Sequence, residues 1–215
     1  MGFIRKVYLI LASQMVVTAA LVILALTSAS FNMFIKTSPG FFLLMMFTYI
    51  ICMYTLFCYP SIARTTPTNY IVLLIFTLSM AYVTSAMTVY VAVKTVILSA
   101  ILTAVLVLAL TAYAFTTKTD FTAMGAGLFM LGALLSFGSL IAWLIGSSFM
   151  HFIIAILTVA LFGAYLIYDT QLIIGGEGRH SAYEIDDYIL AALNIYLDII
   201  TIFIQLLQII GFKNN

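Results

Sequence analysis

Apolar residues fall in long runs separated by short polar breaks. The runs are Val7–Leu26, Phe41–Tyr59, Tyr70–Val93, Thr95–Phe115, Ala123–Ile145, His151–Ile174 and Tyr188–Ile210. A membrane-spanning helix takes about 20 mainly apolar residues, so each run has spanning length. The breaks carry turn formers: Ser38-Pro39-Gly40, Pro60, Pro67, Gly146-Ser147-Ser148 and Gly175-Gly176-Glu177-Gly178. The third and fourth runs are nearly continuous, and Lys94 is the main reason to divide them. The pattern predicts an all-α polytopic membrane protein, one transmembrane domain over residues 1–215. Seven spans is the first reading; six with a re-entrant last segment is the alternative.

Polar positions within the runs are few and ordered. In the last run, Asp187, Ala191, Asn194, Asp198, Thr201, Gln205 and Gln208 follow a three–four spacing and share one helix face. Such a stripe is unstable against lipid, so this helix should face protein or water along its length. Interhelical hydrogen bonds worth about 1 kcal/mol or less each would account for Asn194, Thr201, Gln205 and Gln208. Asp198 demands more, because an intramembrane carboxylate marks an ion or proton path by default.

Asp169 is the second such carboxylate, in the preceding run, and Tyr165 shares its face with Thr158 and Phe162. By helical rise Asp198 lies roughly 15 Å beyond Tyr188, and Asp169 roughly 9 Å before Gly175. Two antiparallel helices joined by a short loop can bring those depths together. Two carboxylates in a low dielectric resist ionising together and titrate in coupled steps. Carboxylate oxygens also suit hard cations such as calcium. The pair therefore fits a proton sensor, a cation site, or both. Arg64 either sets topology as a loop charge or reaches inward to Asp169 or Asp198. The cluster Glu177, Glu184, Asp186 and Asp187 reads as a solvated face, or as a vestibule that concentrates cations.

Composition agrees. Hydrophobic residues make up 65% and charged residues 7%, against about 25% charge in soluble domains. Mean hydropathy is +1.24. A net charge of +1 leaves no basic surface for nucleic acid. Cys52 and Cys58 point to opposite sides of one helix and are not expected to pair. The basic start Arg5-Lys6 precedes a run of full spanning length, so it reads as a retained helix rather than a cleaved signal. Lys6 stands where a myristoylation signal needs Ser or Thr. Lys and Arg divide as Arg5, Lys6, Arg64, Lys118 and Arg179 against Lys36, Lys94 and Lys213, a bias that favours a cytosolic N-terminus. A re-entrant last segment would move Lys213 to the first group. The glycines and serines of the fifth run suit close helix packing or a flexible gate. His151 and His180 are the only histidines, and His151 reads as an interfacial residue. No HExxH, GxSxG or phosphate-binding glycine loop is present, so metal hydrolysis and triad chemistry lack candidate residues and the chain is not expected to be an enzyme.

These residues carry a resemblance to the Bax inhibitor/lifeguard transmembrane family, particularly its Golgi anti-apoptotic branch. Ile4-Arg5-Lys6-Val7-Tyr8 resembles that branch's opening motif. Lys118-Thr119-Asp120-Phe121 with Gly125-Ala126-Gly127-Leu128-Phe129 resembles its fourth-to-fifth-span junction. Ile167-Tyr168-Asp169-Thr170 and Glu184 to Gln208, with Asn194-Ile195-Tyr196-Leu197-Asp198 at their core, resemble the family's C-terminal signature. The resemblance implies a seven-helix bundle with the last helix central. It also implies an inhibitor of apoptosis in the Golgi or endoplasmic reticulum membrane that leaks calcium from stores.

Asp169 and Asp198 correspond to the family's paired aspartates, the pH sensor and ion gate, where calcium would be held transiently. Arg64 is comparable to a family arginine, and Arg64, Tyr165, Asn194, Thr201 and Gln205 are the expected gate partners. Where relatives often carry a third-span glutamate, this chain has Ser79-Met80-Ala81. It also lacks the polar N-terminal extension of many relatives, as a compact viral copy of a host gene or another trimmed homologue would. Expected partners are lipids, calcium as the permeant ion, further copies of the chain, or other cell-death and calcium-channel membrane proteins. No cofactor is expected. Two other readings are a non-conducting regulator acting through membrane-protein partners and a presenilin-type aspartyl protease. The second lacks the Gly-x-Gly-Asp and Pro-Ala-Leu elements.

Overall fold

The computed structural model describes residues 2–175 and 183–212. Gly176, Glu177, Gly178, Arg179, His180 and Lys213, which entered the sequence reading, lie outside them. All regular structure among the described residues is helical. Seven helices are long and apolar enough to cross a membrane.

Helix α1 (Gly2–Thr27) ends at Ser28, whose hydroxyl accepts the Phe31 N–H at 3.3 Å and caps α2 (Ala29–Thr37). The sequence reading left α2 as a connector. Pro39 opens α3 (Pro39–Cys58), and Pro60 both ends that helix and opens the short α4 (Pro60–Arg64). Proline has no N–H to give, so the first helical turn is where it fits. Helix α5 (Thr68–Thr88) and α6 (Val93–Thr116) are separated by residues 89–92. Lys94 therefore lies inside α6 rather than in the break. The break falls in the run Thr88-Val89-Tyr90-Val91, where β-branched side chains crowd a helical turn.

A 3₁₀ turn (Thr122–Met124) leads into α7 (Gly125–Ile145). Gly146, at φ +69°, closes α7 in the left-handed conformation that glycine accepts without a Cβ clash. Ser147 then caps α8 (Ser148–Ile174) by accepting the Met150 N–H at 3.3 Å. Helix α9 (Tyr188–Phe212) runs unbroken for 25 residues, roughly 37 Å at 1.5 Å per residue. That exceeds a hydrocarbon core of about 30 Å, and the re-entrant alternative gives way to a seventh span.

The chain forms two compact units. The first holds Met1–Val93 with Tyr183–Tyr196, and the second holds Lys94–Ala182 with Leu197–Asn215. In the first unit, Tyr82 packs edge-on against Phe41 at 4.9 Å and Phe31 at 6.3 Å, over a core of Ala25, Ile35, Ala86 and Val89. Gln14 donates to the Thr77 hydroxyl at 3.0 Å, and the hydroxyls of Thr18 and Tyr196 lie 2.8 Å apart. Phe76 meets the Tyr196 ring edge-on at 5.9 Å.

In the second unit, α7 lies close to α8 because two glycines admit two tyrosines. A Cβ on Gly125 would sit 2.7 Å from the Tyr168 hydroxyl, and one on Gly132 would sit 3.3 Å from that of Tyr165. Helix α9 is largely buried, with Ile189, Leu193, Ile195, Tyr196, Ile200 and Ile202 all at 2% exposure or less. Its polar stripe is graded: Asp187, Ala191 and Asp198 are buried, Asn194, Thr201 and Gln205 are half-buried, and Gln208 is exposed.

Candidate functional site

Asp169 sits near the end of α8 and Asp198 lies within α9, at 6% and 4% exposure. Both belong to the second unit. The two carboxyls are close enough for each to feel the other's charge. Two ionised carboxylates repel at such a separation, and one proton between them turns the repulsion into a hydrogen bond. Asp198 Oδ2 is buried with no hydrogen-bond partner among the described residues. A buried carboxyl oxygen left in that state is costly, and it is an acceptor open to a proton or a cation. Tyr165 is close enough to feel the charge of both aspartates, and Gly132 leaves the space in which its hydroxyl lies. Thr201 and Gln205 continue the stripe beyond Asp198 and are half-buried.

Arg64 and Asn194 belong to the first unit. Arg64 Nε donates to Asp187 Oδ1 at 2.7 Å, and its second nitrogen donates to Oδ2 at 3.0 Å. Its remaining amino group pairs with Glu184 at 2.9 Å. The planar guanidinium fork matches a carboxylate edge to edge. The sequence leaves Arg64 either as a topology-setting loop charge or as a partner for Asp169 or Asp198; the acids it engages are Asp187 and Glu184. The Asp187 hydrogen bond, followed by the charges around it, holds the guanidinium above its ordinary pKa.

The same contacts correct the solvated-face reading for Asp187, which is 4% exposed. Its Oδ2 also accepts the Glu184 N–H at 2.9 Å, and its carbonyl accepts the Ala191 N–H at 3.0 Å at the start of α9. Around it, Lys6 Nζ lies 4.0 Å over the Tyr188 ring, and Asn69 donates to the Tyr188 hydroxyl at 3.4 Å. Asn194 donates to the Tyr183 hydroxyl at 2.6 Å.

Gln171 escaped the sequence reading. It is fully buried, accepts the Phe121 N–H at 2.8 Å and donates to the Thr119 carbonyl at 3.0 Å. It thereby ties the segment between α6 and α7 to α8. The available signal was a large amide two residues beyond an intramembrane aspartate. Among the described residues no three His, Cys, Asp or Glu side chains gather to hold a metal ion. Cys52 and Cys58 are both free.

The family model described as inhibitor of apoptosis-promoting Bax1 matches residues 1–215. Protein lifeguard 3 of Homo sapiens is 32% identical over 217 residues, covering 99% of this chain and 69% of the human protein. The Golgi anti-apoptotic protein of Vaccinia virus (strain Lister) is 31% identical over 215 residues, covering 100% of this chain and 87% of the viral one. Protein LIFEGUARD 3 of Arabidopsis thaliana is 34% identical over 216 residues, covering 97% and 84%.

Proposed function

The chain belongs to the Bax inhibitor/lifeguard family, and we propose that it inhibits apoptosis as a pH-sensitive calcium leak gated by Asp169 and Asp198. It acts in the Golgi or endoplasmic reticulum membrane with its N-terminus in the cytosol. Lowering store calcium blunts calcium-dependent death signals. The family is one of membrane regulators, and the chain works without a resident cofactor.

One observation carries the reading: two carboxyl groups, both buried in spanning helices, approach each other while Asp198 Oδ2 has no partner among the described residues. Asp169 and Asp198 are the ionisable carboxyls that α8 and α9 carry at that depth, so they are where a cation or proton would be held. With a proton shared, the pair is held together as a hydrogen bond. With that proton gone, two negative charges repel, attract a hard cation and favour separation of the helices that carry them. Tyr165, Thr201 and Gln205 supply neutral oxygens nearby. Arg64 and Asn194 hold the first turns of α9 and so set where the helix starts.

The test is calcium flux into liposomes across pH for the wild-type chain, Asp169→Asn and Asp198→Asn. Each substitution is expected to flatten the pH dependence and change the flux. Unchanged flux with an unchanged pH response in both variants sinks the gate. Protection from apoptosis that persists when both carboxyls are removed and flux is lost would assign that activity to contacts with other membrane proteins.

A further inference from the structure

Within the second unit, the starts of α6 and α8 and the end of α9 enclose a cavity of about 700 Å³. Small-molecule sites span roughly 300–1,000 Å³. Leu98, Phe152, Ile209 and Phe212 form apolar walls, and Lys94 is the charged residue lining it. Phe152 and Phe212 stack at 4.8 Å between ring centres, joining α8 to α9 at one side. Leu98 and Phe212 remain 43% and 42% exposed, so the apolar wall continues outward to the surroundings of the helices.

Among the described residues Lys94 is the one charged side chain lining this cavity, and the last carbonyls of α9 lie across from it. Lys94 is the second residue of α6, and neither α6 nor α8 has an acid in its first turn. No acidic residue precedes Asp120 anywhere in the chain, and none follows Asp198. The first N–H groups of α6 lack intrahelical partners and add to the positive field. A lysine at the end of a spanning helix carries its ammonium to the polar boundary while its stem covers apolar surface.

We propose that this cavity binds a phospholipid of net negative charge, with its phosphate on Lys94 and an acyl chain against Leu98, Phe152 and Ile209. An ammonium held at the end of a spanning helix attracts the phosphate of a lipid head group in whichever leaflet it faces. A zwitterionic lipid fits less well, because its own cationic group cancels part of that attraction. The site is independent of the aspartate gate.

The test uses the full chain in detergent with phosphatidylglycerol or phosphatidylcholine of identical acyl chains, read by lipid retention in native mass spectrometry and by thermal unfolding. Phosphatidylglycerol is expected to be retained roughly fivefold more than phosphatidylcholine, the size of one basic residue's attraction to an anionic head group. Lys94→Gln should bring the two lipids level, and Lys94→Arg should keep the preference. Leu98→Trp, which fills the cavity from its apolar side, should lower retention of both and also serves if Lys94→Gln unfolds. Soluble glycerol phosphate should not compete; competition equal to the lipid's would mean a free-phosphate site and overturn the proposal. Equal retention of the two lipids by the wild-type chain overturns it, as does a preference that Lys94→Gln leaves intact.

Discussion

Helices α7 and α9 are similar in length and both strongly apolar, yet they sit in the molecule very differently. In the most apolar window of the span containing α7, 11% of residues are buried; in α9 the figure is 61%, and in α5 it is 67%. Apolar content does not sort them, because a leucine gains nothing by leaving hydrocarbon for another leucine. Polar groups do. Asp187 at the start of α9 and Asp198 within it are buried, and α5 carries buried Thr77, Ser79, Thr84, Ser85 and Thr88, of which Thr77 also accepts from Gln14 of α1 at 3.0 Å. Helix α7 offers the exposed Ser136 and Ser139, whose hydroxyls are satisfied within their own helix at 2.8 and 2.9 Å. Lipid accepts α7 and not α9, and the interior is built from the helices lipid accepts least.

The largest contrast is between Tyr196 and Phe137. Tyr196 is fully buried, with its hydroxyl on Thr18 and its ring on Phe76. Tyr196→Ala should cost about 3–5 kcal/mol, the range for truncating a buried aromatic. Phe137 on α7 is 67% exposed, and Phe137→Ala should stay within about 0.5 kcal/mol. Reversible unfolding of both variants in the same bicelles reads the difference, and equal losses would break the comparison.

Next comes the tightest glycine contact of α7. Gly125→Ala would bring a methyl within 2.7 Å of the Tyr168 hydroxyl, whereas Gly127 has nothing within 4 Å. Overpacking of this kind costs about 1–3 kcal/mol. Gly127→Ala should be neutral or stabilising, since alanine favours helix. Tyr168→Phe should restore much of the Gly125→Ala loss in the double variant, a rescue that thermal unfolding would report.

The smallest of the three is Gln171→Leu. It strands the Phe121 N–H and the Thr119 carbonyl, at a cost of about 1–2 kcal/mol. Hydrogen exchange should rise at Phe121 before it rises in α8. Exchange unchanged at Phe121 would mean that the amide contributes no hold on that segment.

The spanning helices were legible because each needs a run of apolar residues, which a sequence displays directly. Burial of Asp169 and Asp198 was legible for the complementary reason, since charges in apolar runs are rare and cannot face lipid. What stayed hidden was anything decided by a partner distant in the chain. Helix α2 is short and depends on a serine cap and on Ile35 entering a core shared with Tyr82. The break after Thr88 was hidden by the more conspicuous Lys94. Arg64 reads as a loop charge or as a partner of the rarest acids, while Asp187 and Glu184 were available to its fork. Gln171 went unread because its partners, Phe121 and Thr119, lie some 50 residues earlier in the chain.

The burial of α9 also bears on biosynthesis. A ribosome releases this helix after α1 to α8, so its surroundings must remain unfilled while the earlier helices insert. Until it arrives, Thr18 has no Tyr196 hydroxyl beside it and Arg64 has neither Asp187 nor Glu184. A nascent or truncated chain therefore presents the Arg64 guanidinium beside the bilayer without its acids, a feature by which membrane quality control can distinguish it from the finished protein.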